Sequence, residues 1–424
     1  MAGMEDQPLV SRDATALWAV MALTFLGSLG TGIFWNGLAF IAKHGYEFSE
    51  ARNLLLFAVN GTIYAAGAFF AGRVIAWIRR RLPWACSTRQ MLGAILAVQG
   101  VACLGPITFE GQWVLWVASG GVSALAATTW AIVESYMTAG RHGQAMRRSI
   151  GWFNLAWTGA VAASMFLMAP LTEFHAEWVI GGMAFVYAVC LVFLVWFSPN
   201  PPVHDVEAAA ASITPEYRWL LHSARILLPV SYVLNAAMSP ILPYRFAELG
   251  LSVAWETPVT GTWMVIRVLT LAVMWRVNLW HGRWGTLLFG GATMTLGFAV
   301  VVTGPNIETM LAGFSLFGVG LGVVYYTALY YAMAVGHAEI DAGGTHEALI
   351  GVGYTVGPCA GLVGLALGSG AWIVGTVWTV VGLAAWPAVR PYMKARRFRQ
   401  FPQDDLSRQA GTSTGQPDRD APVR

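Results

Sequence analysis

"PVTGTWMVIRVLTLAVMW", Pro258 to Trp275, is apolar or weakly polar at every position except Arg267, near its middle. Its length approaches the roughly 20 residues a helix needs to cross the hydrocarbon of a bilayer. The stretch is typical of the chain. Of 424 residues, 56% are hydrophobic and 20 are Trp, and only 11% are charged. Soluble domains average about 25% charged residues. A soluble globular domain is excluded, and so is a basic nucleic-acid-binding surface.

Comparable runs begin near Leu17, Leu54, Met91, Trp113, Ile150, Trp178, Ile226, Pro258, Thr286, Met310, Leu349 and Ala371, twelve in all. The predicted fold class is all-α and integral to the membrane, with twelve spanning helices in two six-helix bundles. Residues 1–13 form an N-terminal tail and 14–197 the first bundle. Residues 198–225 are a linker, 226–390 the second bundle, and 391–424 a basic then disordered tail. The first run lacks a basic n-region and is too long for a signal segment, so it reads as a retained helix. Cationic loops mark the cytoplasmic side. With the N-terminus inside, the inner segments hold 21 of the 25 Lys and Arg. The outer loops hold only Lys43, Arg52 and Arg245, and Arg267 is left within the membrane. Both termini are therefore expected inside. The 23 Arg against 2 Lys suggest a bacterial cytoplasmic membrane. The "KARRFRQF" segment is expected to lie on anionic lipid.

The halves echo each other at an offset of 200. "VNGT" from Val59 matches "VTGT" from Val259, and "RRRLPW" ending at Trp84 matches "LWHGRW" ending at Trp284. "IGWF" from Ile150 matches "IGVG" from Ile350. Two six-helix halves around a cytoplasmic linker are the layout of parallel-repeat secondary transporters.

With this layout, the basic turn Arg79, Arg80 and Arg81 after the second run, and "GYTVGPCAGL" in the eleventh, the chain resembles the major facilitator superfamily. The basic turn departs from that family's pattern, because Ala76 and Trp77 stand where an acid and a base belong. No subfamily is identifiable. The resemblance implies alternating access around a central path lined by the first, fourth, seventh and tenth helices. The polar stripes fall on those helices. The first carries Thr24, Ser28, Thr31 and Trp35, with Asn36 beside them. The fourth carries Ser119, Ser123, Trp130 and Glu134. The seventh carries Ser231, Asn235 and Ser239, and the tenth Ser315, Gly322, Tyr326 and Tyr330.

Arg267 shares a stripe of the eighth helix with Thr260, Trp263 and Thr270. A charge at bilayer depth costs at least roughly 2.5 kcal/mol, so it needs an anion or a solvated niche. Among the 22 acidic residues only Glu134 falls within an apolar run, near the end of the fourth, and Glu347 falls just before the eleventh. Neither is predicted to be level with Arg267. Two readings stay open, an anchor for an anionic substrate and a structural cation. The candidate substrate-binding set is Arg267, Trp263, Tyr326, Tyr330, Asn235, Asn36, Trp35 and Trp130. "ESYMTAGR" ends in a Glu134–Arg141 pair similar to the inner-gate charges of sugar porters in the same superfamily. With Arg79, Arg80 and Arg81 this pair forms the candidate gating set, and a simple helix-end charge is its alternative. All eight histidines fall in loops or at helix ends, and the His337–Gly351 loop has no metal spacing.

No cofactor, metal or nucleotide signature is expected. The predicted function is a monomeric secondary transporter of a small organic solute, anionic or sugar-like, with a coupling proton or ion left open. The rivals are a transport-inactive sensor or scaffold of the same fold and, behind it, an integral-membrane enzyme.

Overall fold

The computed structural model describes residues 11, 14–81, 87–141, 143–202, 215–277, 279–335, 340–368 and 370–400. Twelve helices among them are long and apolar enough to cross a membrane. We number them α1 (Leu17–Tyr46), α2 (Glu50–Trp77), α3 (Thr88–Thr108), α4 (Gln112–Thr138), α5 (Gln144–Phe174) and α6 (Ala176–Trp196). The second six are α7 (Arg218–Glu248), α8 (Val253–Arg276), α9 (Trp284–Thr303), α10 (Ile307–Ala332), α11 (Glu347–Ala366) and α12 (Gly370–Ala388). No strand occurs among the described residues.

Local chemistry explains where the helices start and stop. Ser87 and Gln90 form a reciprocal capping box at the start of α3, satisfying donors that the first helical turn leaves open. Gly250, at φ +70°, turns the chain between α7 and α8, in a left-handed conformation that a side chain would resist. Large apolar side chains such as Phe69, Val101, Phe185 and Leu383 point outward and stay exposed, as lipid-facing side chains do. The packed interior is mostly Leu, Val, Phe, Met and Ala.

The two halves meet along two helix pairs, α2 with α11 and α5 with α8. The repeated glycines mark these seams. A Cβ on Gly61 would lie 2.4 Å from the Tyr354 carbonyl, and one on Gly351 2.6 Å from the Ala65 Cα. The partners at offset 200 do the same for the other seam, Gly261 against Phe166 and Met165, and Gly151 against Trp275. Small residues let helices approach closely in lipid, where van der Waals contact drives association.

Several expectations on the chain's connections meet a different backbone. The helix leading into α7 starts at Pro215, inside the stretch read as linker, and 203–214 lie outside the described residues. The helix carrying α12 runs on to Gln400. The N-terminal residues 1–10 and the tail 401–424 lie outside the described residues, as do the side chains of most of the His337–Gly351 segment.

Candidate functional site

A cavity with about 650 Å³ of empty space, its opening to solvent included, lies between the halves. The first half contributes Ser28, Thr31, Trp35 and Asn36 from α1, Tyr64 from α2, Trp130 and Glu134 from α4, and Trp157 from α5. The second contributes Tyr232 and Asn235 from α7, Trp263 and Arg267 from α8, Tyr325 from α10, and Glu347 and Tyr354 from α11. Trp35 and Asn36 reach it from a π-helical segment, Ile33–Gly37, inserted in α1. Such wide turns recur at functional sites because they re-aim consecutive side chains. Asn235, the repeat counterpart of Trp35, faces the same cavity from α7.

Arg267 is 4% exposed. Its guanidinium carbon lies 4.5 Å from the Trp157 ring centroid and 4.8 Å from that of Tyr325. The Arg267 Nε and Nη2 find no hydrogen-bond partner among the described residues, and neither do Trp263 Nε1, Asn235 Oδ1 and Ser28 Oγ. Buried polar atoms in folded proteins are satisfied with few exceptions, so these five atoms can take hydrogen bonds from water or a polar solute in the cavity. Among the described residues Arg267 makes no ion pair.

Glu347 lies elsewhere than the sequence suggested. The polar segment before α11 reads as a loop, yet its helix starts at Ile340, and Glu347 is 6% exposed. Its carboxylate accepts a hydrogen bond from the Tyr64 hydroxyl of the opposite half. Glu134 and Glu347 both line the cavity that Arg267 enters. The aromatic lining of the cavity includes Trp35 stacked on Tyr354, with centroids 3.9 Å apart and planes 12° apart.

The end of the bundle where α1 meets α2 and α7 meets α8 is tied shut across the halves. Glu256, 1% exposed in the first turn of α8, accepts from His44 Nε2 at 2.7 Å and pairs with Lys43 Nζ at 3.9 Å. Lys43 also donates to the Pro243 carbonyl. Asn53 Nδ2 donates to the carbonyls of Ala39 and Pro240 at 3.0 and 3.2 Å. The Tyr244 hydroxyl donates to the Phe48 carbonyl at 2.6 Å.

No protein-family model and no curated protein matches the chain. Solved structures do. A POT family transporter in complex with a thioalcohol-conjugated peptide aligns with TM-score 0.64 at 12% identity, covering 89% of this chain and 96% of that one. The nucleoside transporter NupG gives 0.61 at 10% identity, with 89% and 98% covered. A bacterial homolog of the human lysosomal transporter Spinster gives 0.61 at 12%, with 89% and 97% covered. The chain has the major facilitator fold.

Within that fold, six of the eight residues expected to bind substrate line the cavity, namely Trp35, Asn36, Trp130, Asn235, Trp263 and Arg267. Tyr326 and Tyr330 do not. They pack on Trp280, with centroids 5.6 and 4.9 Å apart, and Tyr325 takes the cavity face of α10. Each helical residue turns about 100°, so a stripe drawn one residue off swaps cavity for packing. Arg141 is not brought to Glu134. Its Nη1 donates to the Tyr136 and Met137 carbonyls at 2.9 and 3.0 Å, and its Nη2 to the Thr15 carbonyl. Burial lowers its pKa from the usual arginine value, yet a guanidinium remains charged. Arg80 and Arg81 are exposed, and the Arg79 side chain lies outside the described residues. The candidate substrate-binding set left out Tyr64, Trp157, Tyr232, Tyr325, Glu347 and Tyr354, which also line the cavity, and the Lys43–His44–Glu256 trio was not foreseen.

Proposed function

We propose that this protein is a secondary transporter that moves a small organic solute across the membrane by alternating access. The observation that carries the reading is the cavity itself. It sits at the seam between two six-helix halves, takes polar side chains from both, and is closed off at one end by contacts that cross between them. A catalytic site needs a nucleophile or acid–base set aimed at a reacting atom, and the cavity is better described as a polar cage. In this reading Arg267 anchors an acidic group of the solute, Trp35, Trp157, Tyr325 and Tyr354 pack on its body, and Asn235 and Trp263 fix its orientation.

The chain ends face the cytoplasm in this proposal, and the Lys43–Glu256 end faces outward. Flux of radiolabelled solutes into proteoliposomes tests the function. Accumulation that saturates with concentration, and that Arg267→Ala abolishes, is expected. A protein that binds solutes in detergent and carries none across the bilayer would instead be a sensor with this fold.

A further inference from the structure

The cavity carries both signs of charge, and they do not neutralise each other. On one side, the unpartnered Nε and Nη2 of Arg267 form a single edge of the guanidinium, with two N–H bonds running parallel. A carboxylate matches that edge with two hydrogen bonds at once. On the other side, Glu134 and Glu347 line the same space from opposite halves. Among the described residues neither carboxylate makes an ion pair, and Glu347 is held by the Tyr64 hydroxyl alone. The two signs of charge line one cavity without pairing, and the stacked rings of Trp35 and Tyr354 line it with them.

A simple anion would satisfy Arg267 and face two carboxylates. A simple cation would suit the carboxylates and leave the guanidinium buried with its edge unmatched. A dipolar molecule satisfies both, with its carboxylate on Arg267 and its ammonium between Glu134 and Glu347. The faces of Trp35 and Tyr354 would also attract the ammonium. We propose that the transported solute is a small zwitterion carrying one carboxylate and one protonated amine, as a neutral α-amino acid does. The proposal rests on the transporter reading above and adds the substrate class.

The test uses the full-length protein in detergent, with neutral α-amino acids from glycine to tryptophan as probes. Each is compared with its N-acetyl form, which lacks the cation, and its amide, which lacks the anion. Thermal stabilisation is expected from at least one parent amino acid. Both capped forms should bind about 10- to 100-fold more weakly, since each loses one charged hydrogen-bond set. In Glu134→Gln and in Glu347→Gln the preference for the parent over its N-acetyl form should shrink, while the preference over the amide persists. Either single variant suffices if the other does not fold. An N-acetyl form binding wild type as well as its parent would overturn the proposal in favour of a plain anion site. An amide doing so would overturn it in favour of a cation site, with the carboxylates serving a cation or a shared proton. No stabilisation by any amino acid would overturn it too. Uptake separates the two levels: proteoliposome flux of a monopolar solute alone leaves transport standing and removes the zwitterion, and absence of flux for every bound solute removes transport itself.

Discussion

An arginine 4% exposed between Trp157 and Tyr325 carries a desolvation cost that its two ring contacts oppose. Cation–π contacts contribute roughly 0.5–2 kcal/mol each, against at least roughly 2.5 kcal/mol for the charge at bilayer depth. The near balance predicts that Arg267→Ala folds, with detergent stability within about 1 kcal/mol of wild type. It should lose nearly all ligand-dependent stabilisation. Arg267→Lys keeps the charge and loses the two-pronged edge, so binding should fall about 10- to 100-fold. Thermal melts with and without solute measure both. A melt lowered equally in the presence and absence of solute would make Arg267 a structural cation. The sequence alone supports this residue as a candidate because one charge in an apolar run is conspicuous. Glu347 was hidden for the opposite reason. It sits at the end of "AGGTHE", which has the composition of a loop, and its burial comes from Tyr64, 283 positions away.

At the scale of helices, the repeat readable in the chain turns out to be a repeat of contacts. "VNGT" and "VTGT" place Gly61 and Gly261 where α2 and α8 each cross into the other half. "IGWF" and "IGVG" place Gly151 and Gly351 on the facing helices. Apolar run length was enough to find the twelve spans, because in lipid a helix must satisfy its own backbone. Which residue of a helix faces the cavity is decided by neighbours that no local pattern encodes, as the exchange of Tyr326 for Tyr325 illustrates. The seam reading predicts that Gly61→Val, which would drive atoms into the Tyr354 backbone, destabilises the protein by about 1–3 kcal/mol or prevents folding. Gly159, also mid-helix, has nothing within 4 Å of its would-be Cβ. Gly159→Ala should be neutral or stabilising by up to about 1 kcal/mol. Equal melting temperatures for the two variants would remove the glycine seam as an explanation of the repeat.

At the scale of the whole molecule, alternating access requires that the contacts closing one end break while those at the other form. The 21-to-3 distribution of basic residues predicts which end faces out. Single cysteines at Glu110 or Glu173 should react with an impermeant thiol reagent added outside, and one at His142 should not. At the end so predicted to face out, Lys43 and His44 of α1 converge on Glu256 of α8, so one buried carboxylate joins the two halves. Separating the halves there must expose or re-pair all three groups, so the trio favours the outward-closed state. A hydrogen bond to a charged group contributes roughly 1.5–3 kcal/mol, and each 1.4 kcal/mol moves a two-state population about tenfold. Glu256→Gln keeps the shape and an acceptor for His44 but removes the charge, so the outward-open fraction should rise about tenfold or more. Ser28→Cys, in a background with Cys86, Cys103, Cys190 and Cys359 replaced by alanine, places a reporter in the cavity wall. Its labelling rate by the same outside reagent should increase by that factor when Glu256→Gln is added, and saturating solute should change the rate in both proteins. An unaltered rate would mean that closure rests on the backbone contacts of Asn53 and Tyr244, with the trio only following them.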